Sequence, residues 1–408
     1  MPSVCFYFQV HQPRRVKKYR VFNIGNDPHY FNDDSDSKTN NRKIIAKVAG
    51  KCYLPANQLL LELLNRHPEF KINFSLSGIF LEQLEEYAPE VLASFQALVK
   101  TGRVELLNET YYHSLAYLYS VDEFRRQVRL HRKKIIDLFN YEPEVFRHTE
   151  LIYNNALARE AEELGFKGIL AEGADHILGW RNPNFIYQPS AWPASAGHKA
   201  WRPSIRLLLK NYKLSDDIAF RFSSKDWSEH PLTAPKFADW ISAINGNGQV
   251  VNLFMDYETF GEHQWEDTGI FDFLRALPAE MLKNPDNDFV TISDAIKRYP
   301  PQGEIDAPHF YSWADTERDL SAWLSNPMQK EAAEKLYELE PVVLKTKNDR
   351  LINSWRRLQT SDHFYYMCTK WWNDGDVHKY FSPYESPYEA FISFMNVLND
   401  LKLRLNNV

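Results

Sequence analysis

Short apolar runs alternate along this chain with segments whose apolar residues recur every three or four positions. "VCFYFQV" (Val4 to Val10), "KINFSLS" (Lys71 to Ser77), "RVELLN" (Arg103 to Asn108), "EVFRHTE" (Glu144 to Glu150), "KGILAEG" (Lys167 to Gly173), "IRLLLKN" (Ile205 to Asn211) and "VVNLFMD" (Val250 to Asp256) read as buried strands. "NQLLLELLNRHP" after Pro55, "FLEQLEEYAPEVLASFQALVKTG" from Phe80 and "VDEFRRQVRLHRKKIIDLF" from Val121 carry helical spacing. In "AREAEELGFKGIL" a helix is stopped by Gly165 before the next strand. This is the pattern of βα units around a parallel sheet, an α/β fold. No GxGxxG or GxxxxGK follows any strand, so a nucleotide fold is not indicated, and a barrel is favoured over an open sheet. From Asp319 the strand signals stop. Helical patterns near Asp319 to Leu339, Pro341 to Trp372 and Glu385 to Asn406 predict a C-terminal helical domain over 311–408 beside a barrel over 1–310.

Composition narrows the function classes. With 48 basic and 54 acidic residues the net charge is −6, which argues against nucleic acid as a partner. Cys5, Cys52 and Cys368 are far apart and form no CxxC, which excludes a disulfide framework and a cysteine zinc site and suits a reducing compartment. The N-terminus enters an apolar strand without the features of a signal peptide, and no stretch reaches transmembrane length. The expectation is a cytoplasmic chain with no membrane partner. Aromatics make up 14% of residues, and such side chains both fill cores and stack on sugar rings.

The strand ends carry the chemistry. In a parallel barrel the carboxyl ends of the strands share one mouth. His11 and Gln12 follow the first strand; Glu105, Asn108, Glu109 and His113 lie on or after the third; His148 and Glu150 end the fourth; Glu172 and Asp175 the fifth; Asp256 and Glu258 the seventh. Two chemistries use such a rim. Metal-assisted hydrolysis would need a ligand set: "HTE" (His148 to Glu150) has the H-x-E spacing of zinc deaminases but no PCxxC follows, and "DDSDSKTNN" (Asp33 to Asn41) lacks the glycine and closing glutamate of a calcium loop. No metal or other cofactor is therefore expected. Glycosidic bond cleavage needs two carboxyls, which Glu150 and Asp256 could supply from separate strands.

Five segments carry a resemblance. "HQP" (His11 to Pro13), "GRVELLNETYYH" (Gly102 to His113), "FRHTELIY" (Phe146 to Tyr153), "FMDYETFGEHQW" (Phe254 to Trp265) and "SWADTERDLSAW" (Ser312 to Trp323) resemble, in order, the motif regions of glycoside hydrolase family 57, with the α-amylase branch the most similar. The resemblance implies an incomplete (β/α)7 TIM-like barrel with a helical domain beside its mouth, acting on α-glucans with retention. It implies Glu150 as nucleophile, Asp256 as general acid/base, and substrate contacts at His11, Glu105, His113, His263 and Trp313.

On that reading Glu150 must be ionised, while Asp256 must hold a proton near neutral pH, its pKa raised by burial and by the neighbouring nucleophile. Retention requires carboxyls about 5 to 5.5 Å apart. The expected partner is starch, glycogen or a maltooligosaccharide, cleaved at α-1,4 bonds. A 4-α-glucanotransferase or branching enzyme of the same fold, or a non-catalytic glucan-binding protein, stays open beside it, as does the oligomeric state. Glu258 and Glu262 read at least as well as partners of nearby Arg or His as substrate contacts. Elsewhere the bland readings are preferred, with Trp371 and Trp372 as packing in the helical domain and "RRQVRLHRKK" (Arg125 to Lys134) as the wet face of a helix.

Overall fold

The computed structural model describes residues 2–31, 33–192, 200–370 and 377–407. Seven strands build the central sheet: β1 (Ser3–Val10), β2 (Ile72–Leu76), β3 (Val104–Leu106), β4 (Val145–Arg147), β5 (Gly168–Glu172), β6 (Arg206–Lys210) and β7 (Val250–Asp256). All pairings among them are parallel. β3, β2, β1 and β7 form one run and β4, β5 and β6 another. The two runs meet thinly. On one side Asn108 bridges Phe146 in parallel register, and on the other Asn211 N–H donates to the Asn252 carbonyl at 2.9 Å. Neighbours in the ring are therefore neighbours in the chain, as right-handed βα units require.

The two-residue period of each strand sorts its side chains. On β1, Val4, Phe6, Phe8 and Val10 pack outward on the helices, while Cys5 and Tyr7 join Leu107, Val145, Leu170, Leu208, Val250 and Phe254 inside. The same alternation carries Gln9, Arg147, Glu172, Lys210 and Asp256 one layer above that plug, at the carboxyl ends. Each ordered apolar side chain buried this way contributes roughly 1.5–3 kcal/mol, so the plug fixes the floor on which the polar layer stands.

Several predicted helices are broken. The segment from Phe80 splits into Gly78–Tyr87 and Pro89–Lys100, because Pro89 starts a new helix after Ala88 leaves helical geometry. The first two C-terminal patterns divide into Ser321–Leu324, Pro327–Glu338, Glu340–Thr346, Asp349–Arg357 and Ser361–Tyr365. Asn326 caps one start, and the left-handed Lys347 followed by the cap Asn348 forces another. The last pattern survives as Pro387–Leu405. These helices share one apolar core with the outer faces of β4 to β6: Trp323, Leu336, Trp355 and Leu401 pack in the same cluster as Phe146, Ile169, Leu207 and Leu209.

The basic run behaves as a solvated face whose charges are mostly paired. Arg125 pairs with Glu160, Arg126 with Glu123 and Glu340, Arg132 with Glu142, and Lys134 with Glu85. Asp33 folds its own loop by accepting from Ser35, Asp36 and Thr39. The three cysteines are buried and free. Among the described residues no helix is long and apolar enough to cross a membrane.

Candidate active site

A cavity of about 270 Å³ opens at the carboxyl ends of the strands. Of the seven residues expected there, His11, His113, Glu150, Asp256, His263 and Trp313 line it; Glu105 does not. Its place follows from the pleat. Glu105 sits level with Asn73 and hence Tyr7, two pleats below the mouth, where its carboxylate accepts from Ser293 N–H at 2.8 Å and Ser293 Oγ at 2.5 Å. The residue that takes the upper position on the same face is Glu109. Trp371 and Trp372 lie outside the described residues.

Glu150 stands just past β4 on a single turn, Thr149–Leu151, with φ 58° and ψ 25°. Left-handed backbone is uncommon for residues other than glycine. His113, Asp315 and Arg318, which also line the cavity, share it. Such strain persists only where surroundings impose it, and it clusters at functional sites. Here the surroundings are hydrogen bonds. Glu150 Oε1 accepts from Ser361 Oγ at 3.0 Å and faces His113 Nε2 at 3.3 Å, and Oε2 accepts from Trp313 Nε1 at 2.9 Å.

His113 lies between two carboxylates, its Nδ1 being 2.8 Å from Glu109 Oε2. Burial alone would lower its pKa, but Glu109 and Glu150 outweigh it and push the imidazole up to about 9. Glu109, opposed by burial but held by His113, His131 and Arg147, falls to about 2. For Glu150, too, burial acts upward, and the hydrogen bond and charge of His113, with Arg147, bring it below the ordinary glutamate value. The His11 ring stacks on His113 with centroids 4.0 Å apart. His11 Nε2 is 3.0 Å from Asp362 Oδ2 and Nδ1 is 2.7 Å from Ser77 Oγ. Burial and the His113 charge lower its pKa despite Asp362, so one ring is cationic and the other neutral.

Asp256 ends β7 on the opposite edge. No side chain among the described residues hydrogen-bonds its carboxyl. Burial, then the Glu150 charge, raise it to about 6 against Arg147, Lys210 and His113. Two residues on, Glu258 accepts from Tyr53 Oη at 2.5 Å and is pushed up to about 8 by burial and by Asp256. Glu262 instead pairs with Lys47 and Lys51. His263 packs edge-on to Phe381 at 5.4 Å, and burial lowers it to about 4. Trp313 is held by Arg318, which donates to its carbonyl, and Lys210 Nζ lies 5.3 Å from its ring centroid.

Sequence reasoning passed over Ser361, Asp362, Lys210, Asp216 and Arg318. Ser361 and Asp362 fall inside a helical pattern that carries no sign of a site. Lys210 was legible as an inward strand end, like Asp256, by its two-residue spacing from Leu208. The segment bearing Ser361 is stitched to the loop after β3: Thr360 bridges Ser114, and Ser361 N–H donates to the His113 carbonyl at 2.9 Å. No group of three or more His, Cys, Asp or Glu that could hold a metal is found among the described residues. The arrangement offers a carboxylate fixed by three neighbours and, lining the same cavity, a second carboxyl whose pKa is raised to about 6.

Comparison with known proteins gives the same direction. The model of glycosyl hydrolase family 57 matches residues 5–308. A protein of Methanocaldococcus jannaschii named "Putative alpha-amylase" is 44% identical over 98% of this chain and 84% of its own length. The chain spans 41% and 42% of two further curated relatives, so it matches only part of them. Its fold is shared with the 4-alpha-glucanotransferase of Thermococcus litoralis (TM-score 0.63, 17% identity, 89% of this chain and 56% of that one). It is also shared with a branching enzyme of Pyrococcus horikoshii (TM-score 0.65, 16% identity, 93% and 87%). With a seven-stranded parallel barrel, two carboxyls at its mouth and the family model matched across both, this chain is a glycoside hydrolase belonging to glycosyl hydrolase family 57.

Proposed function

We propose that the chain cleaves α-1,4-glucosidic bonds in starch, glycogen or maltooligosaccharides with retention, Glu150 acting as nucleophile and Asp256 as general acid/base. The observation that carries this reading is two carboxyls lining one cavity with pKa values pushed apart: Glu150 held below its ordinary value, Asp256 raised to about 6. In the first step Asp256 gives its proton to the leaving glycosidic oxygen while Glu150 bonds to the anomeric carbon. In the second, the carboxylate of Asp256 deprotonates the incoming hydroxyl as the bond to Glu150 breaks. Water as acceptor gives hydrolysis; a sugar hydroxyl gives transfer. His11, His113, His263 and Trp313 border the sugar held between them. The alpha-amylase name of the 44% identical relative supports water as the acceptor.

One incubation tests the reading. Maltoheptaose should yield shorter maltooligosaccharides whose first product, followed by NMR, is the α-anomer. Glu150→Gln and Asp256→Asn should each abolish nearly all reducing-end release. Products longer than the substrate would assign the chain to transfer, binding without turnover would make it a glucan-binding protein, and full activity in either variant would remove that residue from the mechanism.

A further inference from the structure

Arg147 is the last residue of β4 and points inward below the cavity. Its side chain is fully buried, and none of its three guanidinium nitrogens has a hydrogen-bond partner among the described residues. A buried charge without hydrogen bonds does not favour folding; an apolar side chain of similar volume would pack there at least as well. The guanidinium instead faces the catalytic carboxyls. Its Cζ lies 5.0 Å from the centroid of the Trp313 ring, and the N–H of that same ring donates to Glu150 at 2.9 Å.

Of the other cations of the site, Arg15 donates to Gln12 Oε1 and the Pro13 carbonyl, and the rest are committed to carboxylates. Lys210 Nζ is 3.0 Å from Asp216 and 3.7 Å from Glu172, and Arg318 lies 3.6 Å from Glu172 and 3.9 Å from Asp216. His113 is shared between Glu109 and Glu150 and loses its proton at about 9. Arg147, by contrast, has no hydrogen-bonded carboxylate among the described residues.

From this placement we infer that Arg147 is a positioning residue whose unpaired buried charge, lying under the Trp313 ring, keeps Glu150 ionised and sets the pH range in which the Glu150–Asp256 pair works. The inference rests on the reading of that pair given above. Arg147 lowers Glu109, Glu150 and Asp256 alike. The charged and titratable groups facing Glu150 are His113, Asp362, Asp256 and Tyr365. Those facing Asp256 are Glu150, Lys210, His113, Glu258 and Tyr7. Apart from Lys210 and His113, both already paired, these are acids. Removing Arg147 leaves their mutual repulsion opposed only by His113 and Lys210, and both carboxyls of the pair then hold their protons to higher pH.

The test is the pH profile of kcat/KM on maltoheptaose for the wild type, Arg147→Met and Arg147→Lys. Arg147→Met should fold with a Tm equal to or above that of the wild type, and both limbs of its profile should move by about one pH unit upward. Arg147→Lys, which keeps the charge, should hold both limbs near the wild-type positions. Unmoved limbs in Arg147→Met would overturn the inference. So would a failure of both Arg147→Met and Arg147→Gln to fold, which would assign the guanidinium to folding. Wild-type turnover in Glu150→Gln would instead remove the pair itself; loss of turnover there with an unshifted Arg147→Met profile removes only the role given to Arg147.

Discussion

Ser361 Oγ donates to Glu150 Oε1 at 3.0 Å although 211 positions separate them in the chain. The C-terminal helices thus reach into the barrel mouth and fix one oxygen of the carboxylate, while Trp313 fixes the other. The free rotamers of a glutamate at a strained turn are thereby reduced to one, with one oxygen shared by His113 and Ser361.

Ser361→Ala removes that donor without touching the backbone bonds that stitch Thr360 and Ser361 to the loop after β3. A hydrogen bond to a charged group contributes about 1.5–3 kcal/mol. kcat should fall on the order of tenfold or more, with Tm little changed. Steady-state kinetics and a thermal melt check this, and unaltered kcat would show that Trp313 and His113 suffice.

The pH profile follows from the two carboxyls. On the proposed roles, activity needs Glu150 ionised and Asp256 protonated, so kcat/KM should rise with pH through a limb below the ordinary glutamate value. It should fall again as pH passes through about 6, where free-enzyme Asp256 loses its proton. Because the two titrate as a coupled pair, the limbs belong to the pair. A profile flat from pH 5 to 8 would contradict the assignment of Asp256 as the acid.

His113 links the site to stability. Its folded pKa of about 9 lies above its unfolded value near 6.5. The sign is therefore fixed: the stabilisation is fully present below about pH 6.5 and is lost as pH rises through about 9. The difference in unfolding free energy between the wild type and His113→Gln should shrink across that window, by on the order of 2–3 kcal/mol. Urea unfolding at pH 6 and pH 9.5 measures it, and a constant difference would mean that His113 is neutral in the fold.

Gly261 turns the loop that carries His263. Its φ is +109°, and a Cβ there would stand 2.0 Å from the Lys51 carbonyl oxygen. Gly261→Ala should cost more than about 1 kcal/mol and lower activity by displacing His263 from the cavity. A Tm within a degree of the wild type would show that the loop relaxes.

Strand order and the placement of Glu150 and Asp256 at one cavity could be read from the chain, because both follow from local rules. A two-residue alternation that ends at Asp256 puts the carboxyl on the same face as Phe254, and a run of apolar strands joined by helices admits few topologies. The same rule, applied with its register, separates Glu105 from Glu109: both face inward, but only the upper one contacts a cavity-lining side chain, His113. That register is set by pairing between strands, which no single strand encodes. Ser361, Asp362 and the paired cations around Trp313 were not legible for a related reason. Their partners lie far away in the chain and are chosen by how helices pack on the barrel, and helical spacing in "SDHFYYM" says only which face is apolar. The sequence by itself therefore determined the elements, the family and two carboxyls. Tertiary packing decided which side chains surround them, and hence their charge, because protonation in a buried site depends on neighbours within a few ångströms rather than on residue identity.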